Sequence, residues 1–291
     1  MPQPLRPHPI LAACLGLALA APPVTAQDRA PSHCIAIADA GPGITFVDAA
    51  RPAETLTRTQ VVPPDDEYTV RIRYIDHSQF LIATAGGLGA VTDYNGWLGE
   101  TDYVPDVVTM NNSHSSHWTA APDRGIPNVL EGWRQGDAPA EHYLDLGEML
   151  VRNVTTNVRG FGDGMIVDNN SIFVFEVAGL CIGHLGHLHH EPSDEDYAAL
   201  GRVDVLMAAV DGGMTVDLPT MTRIVERLRS SVVIPMHWFS GYSLDAFLAG
   251  IDRQVFDVVR DGEHTLDVSL RTLPDRPTIV VLDPMPLGFG E

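Results

Sequence analysis

The sequence predicts an α/β fold, a sheet core covered by helices, on three observations. Alternating strands come first along the chain, as in Thr69-Val-Arg-Ile-Arg-Tyr-Ile75 with Val70, Ile72 and Tyr74 on one face. Strand–helix–strand units come next, whose strands Val203–Ala209 and Ser231–Met236 are mainly apolar and read as buried. Three strand ends, finally, deliver histidines: Asp106–Met110 runs to His114 and His117, Leu180–Gly183 to His184 and His187, and Ser231–Met236 to His237. In open sheets of this kind ligands bind beyond the carboxyl ends of the strands.

Ahead of the fold, Arg6, the apolar run Ile10–Ala21 and the small residues ending at Ala26 predict a secretory signal peptide over 1–26. The run is short for a membrane span, and Cys14 lies inside it, not at the cleavage point of a lipoprotein. A periplasmic or secreted protein without membrane insertion after cleavage is expected. The formal net charge is −20 and every basic residue is arginine, so phosphate backbones and anionic lipid are repelled and a nucleic-acid partner is disfavoured. The missing lysines themselves are best read as genomic composition. Cys34 and Cys181 remain after cleavage; a disulfide between them and a free, buried Cys181 are both open at this point.

Residues 27–66 are rich in Pro, Ala and Asp without a period and read as an N-terminal arm, followed by one domain over 67–291. The strands Thr69–Ile75, Gln79–Thr84 and Leu88–Asp93, the last two joined by Gly86-Gly87, predict an antiparallel meander ending at Asp93. Trp118–Glu148 is loop-rich and reads as a pocket wall. Strands Leu150–Thr155 and Ser171–Val177 come after it, and Gly179 turns the latter into Leu180–Gly183. Ser193 with Asp196 predicts a capped helix through Leu200, stopped by Gly201. Met221, Ile224, Val225 and Leu228 stripe a second helix, and Ser243 is expected to cap a third through Ile251. Thr265–Leu270 and Thr278–Leu282 close the domain.

A lone histidine in a chain this long is more often packed or exposed than a ligand. Three strand ends that each supply one are harder to dismiss. With these residues in place the sequence resembles the metallo-β-lactamase fold superfamily, in particular its L-ascorbate-6-phosphate-lactonase-like branch of predicted metal-dependent hydrolases. The resemblance spans about Val70 to Leu248. It rests on Ile75-Asp-His77-Ser78-Gln-Phe-Leu-Ile82, Thr92-Asp93-Tyr94, Asn112-Ser-His114-Ser-Ser116-His117, His184-Leu-Gly-His187-Leu-His-His190 and Ile234-Pro-Met-His237. It implies a four-layer αββα sandwich.

The departures from the family pattern are informative. The family's first metal uses two signature histidines and a later one; here those positions are Asn112, His114 and Asn157, and asparagine amides are poor zinc ligands. The second uses an aspartate, two histidines and a bridging aspartate, here Ser116, His117, His237 and His187. Loss of both carboxylates implies one divalent ion, not two, held by His117, His187 and His237 with His114 as a fourth. Zinc is the default, and Cu, Fe or Ni suit the same imidazoles. Asp93, Asn112 and Ser116 take the places of catalytic residues, Asp93 and Asp211 as groups that orient an imidazole, though Asp211 beside Gly212-Gly213 reads first as a turn aspartate. His77, His184, His190 and Asn157 are candidates for substrate contact. His77, His189 and His190 have the plainer reading of turn or loop residues. No Gly-x-Ser-x-Gly elbow accompanies Ser113, Ser115 and Ser116, so a serine nucleophile has little support. The expected function is an exported hydrolase of a small-molecule ester, lactone or phosphoester, with a metal-bound hydroxide as nucleophile. The alternatives are a non-hydrolytic Cu or Fe protein, or a pseudoenzyme, on the same fold.

Overall fold

The computed structural model describes Met1 and residues 31–35, 62–162 and 164–289. The export segment expected over 1–26, Met1 apart, and most of the arm expected over 27–66 lie outside the described residues. In chain order the strands are β1 (Val70–Asp76), β2 (Gln79–Ala83), β3 (Gly89–Val91), β4 (Val107–Met110), β5 (Asn128–Glu131), β6 (Tyr143–Asp145), β7 (Met149–Arg159), β8 (Met165–Val177) and β9 (Leu180–His184). Helix α1 (Asp194–Leu200), β10 (Val205–Ala209), α2 (Leu218–Leu228), β11 (Val232–Met236), α3 (Gly241–Gly250), β12 (Asp257–Val259), β13 (Thr265–Val268) and β14 (Thr278–Val280) complete it.

Two mixed sheets form, one ordered β13-β1-β2-β3-β4-β5 and the other β12-β14-β11-β10-β9-β8-β7-β6. Alternation decides which face of β1 is buried: Val70, Ile72 and Tyr74 point into the space between the sheets, while Arg71 faces out and pairs with Asp267 directly opposite on β13. That space is filled from both sides, Phe80 and Ile82 meeting Phe173, Phe175 and Ile182. The central strands of the larger sheet, β9, β10 and β11, are buried at every position because their other face is covered too. Ile172, Val174, Leu206, Ala208 and Val233 pack there against Met221, Ile224 and Val225 of α2 and Leu244 and Phe247 of α3. The outer face of the smaller sheet is covered, among the described residues, by irregular segments carrying Tyr94, Leu98, Ile126 and Leu287.

The expected meander is present as β1–β2–β3, antiparallel throughout. Helix α1 has its full capping box, Ser193 and Asp196 each bonding the other's backbone N–H. Two details differ from expectation, and one left open is decided. The loop-rich stretch Trp118–Glu148 contains the short strands β5 and β6, and β12 was not foreseen; all three are three or four residues long, too short to show a period. Ser243 does not cap α3: the N-cap position is Ser240, and Ser243 lies inside the helix with its hydroxyl turned back to the Ser240 carbonyl at 3.4 Å. Cys34 and Cys181 are joined as a disulfide, their Cα atoms 5.9 Å apart, fixing residues 31–35 to β9. Among the described residues no helix is long and apolar enough to cross a membrane.

Candidate metal centre

Loops at strand ends bring the chemistry together. His77 sits in the turn between β1 and β2, Asp93 just after β3, His117 after β4, His187 after β9 and His237 directly after β11. The His77 carbonyl accepts both the Tyr74 hydroxyl (2.6 Å) and the His237 amide (2.8 Å), so two of these loops are tied through one oxygen. His187 is aimed by its own amide, which donates to Asn170 Oδ1 at 3.0 Å, and by Gly186 before it at φ +62°. His77, Asp93 and His237 all have positive φ (47°, 46° and 59°), a conformation that costs a residue with a Cβ on the order of 1–3 kcal/mol. Hydrogen bonds from the surrounding framework hold these three neighbouring residues in that conformation.

Two imidazoles are backed by buried carboxylates. Asp93 Oδ2 lies 2.5 Å from His117 Nδ1, with the Ser78 hydroxyl 3.2 Å from the same nitrogen. Asp211 Oδ2 lies 3.0 Å from His237 Nδ1, the N–H pointing off the direct line. Asp211 is itself fixed, its Oδ1 accepting the amides of Gly213, Met214 and Thr215 and its Oδ2 the Thr215 hydroxyl. It is both the turn aspartate and the partner of His237. Each carboxylate keeps the proton on Nδ1, so each Nε2 presents a lone pair. Those two lone pairs meet: His117 Nε2 is 3.2 Å from His237 Nε2, and His187 Nδ1 is 2.8 Å from His117 Nε2. His77, His117 and His237 offer donor atoms that all lie within 4.8 Å of one another.

Electrostatics disfavour the charged form of two of these rings, His77 and His187. Burial, with His237 and His117 adding to it, lowers His77 to about 3, and burial likewise holds His187 far below the usual histidine range. Burial alone would raise Asp93, but the imidazoles of His117 and His184 and the bond from His117 overcome it and hold the carboxyl at about 2. Asp211 is also held well below the carboxylate range: burial opposes, while His237, Thr215 and the turn amides prevail.

Around this core, His114 is exposed at the rim, its ring stacked on His187 (5.3 Å between centroids) and its Nδ1 3.0 Å from the Ser116 hydroxyl. His189 accepts the Arg159 amide on Nδ1 at 2.7 Å and stands 4.8 Å from the His187 ring. Phe239, largely exposed, lies against His77 and edge-on to His237. His190 is exposed on the adjoining loop. The other candidates serve the framework instead. His184 is fully buried, with Nε2 on the Ser78 carbonyl (2.8 Å) and Nδ1 accepting the Gly186 amide (3.2 Å). Asn112 donates to the Asn169 carbonyl, and Asn157 accepts the Asp168 amide within the β7–β8 hairpin. Sequence reasoning gave His77 a peripheral place and left the Asp211–His237 contact undecided. The parallel pairing of β10 with β11 brings Asp211 beside His237, and the hydrogen bond from the His237 amide to the His77 carbonyl brings in His77; neither pairing is written in the sequence.

Comparison with known proteins agrees with this architecture. A UPF0173 protein of Pyrococcus abyssi is 24% identical over 211 residues, covering 66% of this chain and 96% of its own length. A Thermotoga maritima protein assigned to the Zn-dependent hydrolases of the metallo-β-lactamase superfamily is 25% identical and superposes with a TM-score of 0.52, over 74% of this chain and all of its own. Residues 71–237, more than half the chain and reaching from β1 to the last histidine of the cluster, match the family described as the β-lactamase superfamily domain. The chain therefore belongs to the β-lactamase superfamily and has the metallo-β-lactamase fold.

Proposed function

We propose that this is an exported, metal-dependent hydrolase of a small-molecule ester, lactone or phosphoester, with a single divalent ion held by His117, His187 and His237 and His77 as the further imidazole nearest them. The observation that carries the reading is the approach of two carboxylate-backed Nε2 lone pairs to 3.2 Å, with a third ring nitrogen 2.8 Å from one of them. Neutral lone pairs repel at that distance unless a cation joins them. Tetrahedral zinc, with bonds of about 2.0–2.1 Å, spaces its nitrogen ligands by about 3.3 Å, close to the 3.2 Å between His117 and His237. That pair thus fits zinc, and His77 lies with it in a set of donors within 4.8 Å of one another; Cu, Fe or Ni accept the same imidazoles. One ion is favoured over two because Asp93 and Asp211, the carboxylates at the centre, are engaged behind the imidazoles and leave no bridge.

A divalent ion bound there supplies Lewis-acid polarisation of the scissile group and acidifies water at neutral pH. The chain supplies the rest. Asp93 and Asp211 hold His117 and His237 in the tautomer that keeps Nε2 available. His114, the exposed imidazole beside the cluster, is placed to take up a proton from water in the site, and the Ser116 hydroxyl orients its ring. His189, whose Nδ1 is occupied by the Arg159 amide, carries its own proton on Nε2. Protein spanning 27–291, loaded with zinc and offered p-nitrophenyl esters, lactones and phosphodiesters, is expected to turn over at least one class; no turnover by the fully metallated protein would contradict the proposal. The all-imidazole donor set also favours a second reading, a copper or iron centre without hydrolysis. Stoichiometric copper with a visible-region band, and no hydrolysis, would select it.

A further inference from the structure

The carboxylate-backed imidazole recurs once more, away from the histidine cluster. His33 Nδ1 lies 3.1 Å from Oε2 of Glu176, whose side chain is almost wholly buried. The other ring nitrogen, Nε2, is buried without a hydrogen-bond partner. Beside it are two sulfurs: a His33 ring nitrogen and the Sγ atoms of Cys34 and Cys181 lie within 4.8 Å of one another. We propose that this is a redox-gated metal site. With the Cys34–Cys181 disulfide closed it binds nothing; opened, it presents two thiolates and one imidazole to a thiophilic cation, zinc in the first instance.

Three features support a built site rather than a chance neighbourhood. Two thiolates and an imidazole are a zinc donor set with a fourth position open, and Glu176 on Nδ1 leaves the buried, unpartnered Nε2 as the donor available to a cation. The donors are also held independently of the disulfide. Glu176 accepts the Ser32 hydroxyl and the His33 amide (2.9 Å), the Arg202 backbone N–H donates to the Cys34 carbonyl (3.2 Å), and Glu176 is fixed by Arg152 at 2.8 Å. Opening the sulfur–sulfur bond therefore leaves residues 32–34 anchored. Finally, the Arg202 guanidinium stands 3.4 Å from Cys181 Sγ, and a cation there favours the thiolate that a metal requires. The gating step balances simply. A phosphine reductant transfers two electrons to the disulfide, takes the oxygen of one water and leaves one proton on each sulfur, and the incoming cation displaces both protons. A dithiol reductant reaches the same dithiol state by exchange, ending as a disulfide itself.

The test uses protein spanning 27–291 and cadmium ions, whose thiolate charge-transfer absorption in the ultraviolet ignores imidazole-only sites. After phosphine reduction, with two thiols confirmed by a thiol reagent, one equivalent beyond the oxidised protein is expected to bind with that absorption. Cys34→Ser should abolish the band, and His33→Ala should weaken binding by about tenfold or more. No band from the reduced, folded protein would overturn the site, and undiminished binding by His33→Ala would overturn the assignment of His33. If reduction unfolds the protein, reduction in the presence of cadmium decides: native circular dichroism kept by the metal supports the site, and its loss overturns it.

Discussion

His117 and His237 stand 120 residues apart in the chain, yet their Nε2 atoms approach to 3.2 Å, each ring backed by its own aspartate. The two dyads come from different sheets, His117 and Asp93 from the ends of β4 and β3, His237 and Asp211 from the ends of β11 and β10. The site is therefore a seam between the sheets.

Replacing the backing carboxylates tests the outer shell. Asp93→Asn should weaken zinc affinity by about 10- to 100-fold while leaving the fold intact, since Asn can still accept the Asn111 amide now bonded to Asp93 Oδ1. Competition titration against a chromophoric chelator measures the change; affinity equal to that of the parent would remove Asp93 from the site.

Asp211 has two jobs, and Asp211→Ala should show both. Loss of the acceptor for three turn amides and one hydroxyl is expected to destabilise the protein by about 1–3 kcal/mol in denaturant unfolding, alongside weaker metal binding. Metal loss without destabilisation would mean the turn is held by other contacts.

Gly186 sets the aim of His187. A Cβ at this position would stand 2.5 Å from Asn111 Nδ2 and 2.8 Å from Asn170 Oδ1, on a backbone at φ +62°. Gly186→Ala should therefore cost about 1–3 kcal/mol and reduce metal affinity, because Asn170 is also what holds the His187 amide. Equal stability and affinity would contradict the packing described.

Acid should loosen the metal-free protein well before its carboxylates titrate. Folded His77 and His189 take up protons only near pH 3 and 4, against about 6.5 in the unfolded chain. Between those values the unfolded state binds more protons, so stability falls as pH is lowered. Asp93, lowered to about 2, adds its loss only below the ordinary carboxylate range. Melting temperatures of chelator-treated protein should drop steadily from pH 7 to pH 4; a flat profile would show these rings are not neutral and buried together.

Much of this was legible in the sequence for a physical reason: buried strands leave strong apolar runs, and a residue just beyond such a run sits at a strand end. Val107–Met110, Leu180–His184 and Val232–Met236 put His117, His187 and His237 at three such ends. His184 shows the limit of that logic. It too ends an apolar run, but as the last residue of β9 it points into the framework, bonded to Ser78 and Gly186, and only the pairing across the sheets decides that. His77 was harder still. It belongs to a tight turn with left-handed backbone, a conformation the sequence does not announce for histidine, and its nearness to His237 comes from one backbone hydrogen bond across the seam. The strands β5, β6 and β12 are held by neighbours, not by their own pattern, so nothing local could reveal them.

The direct measurement is a zinc titration of chelator-stripped protein with its disulfide intact, followed by calorimetry and by elemental analysis after gel filtration. One equivalent is expected in the parent chain, with binding lost in His117→Ala and in His237→Ala. Two equivalents, or a full equivalent retained by either variant, would contradict a single ion held between those two rings.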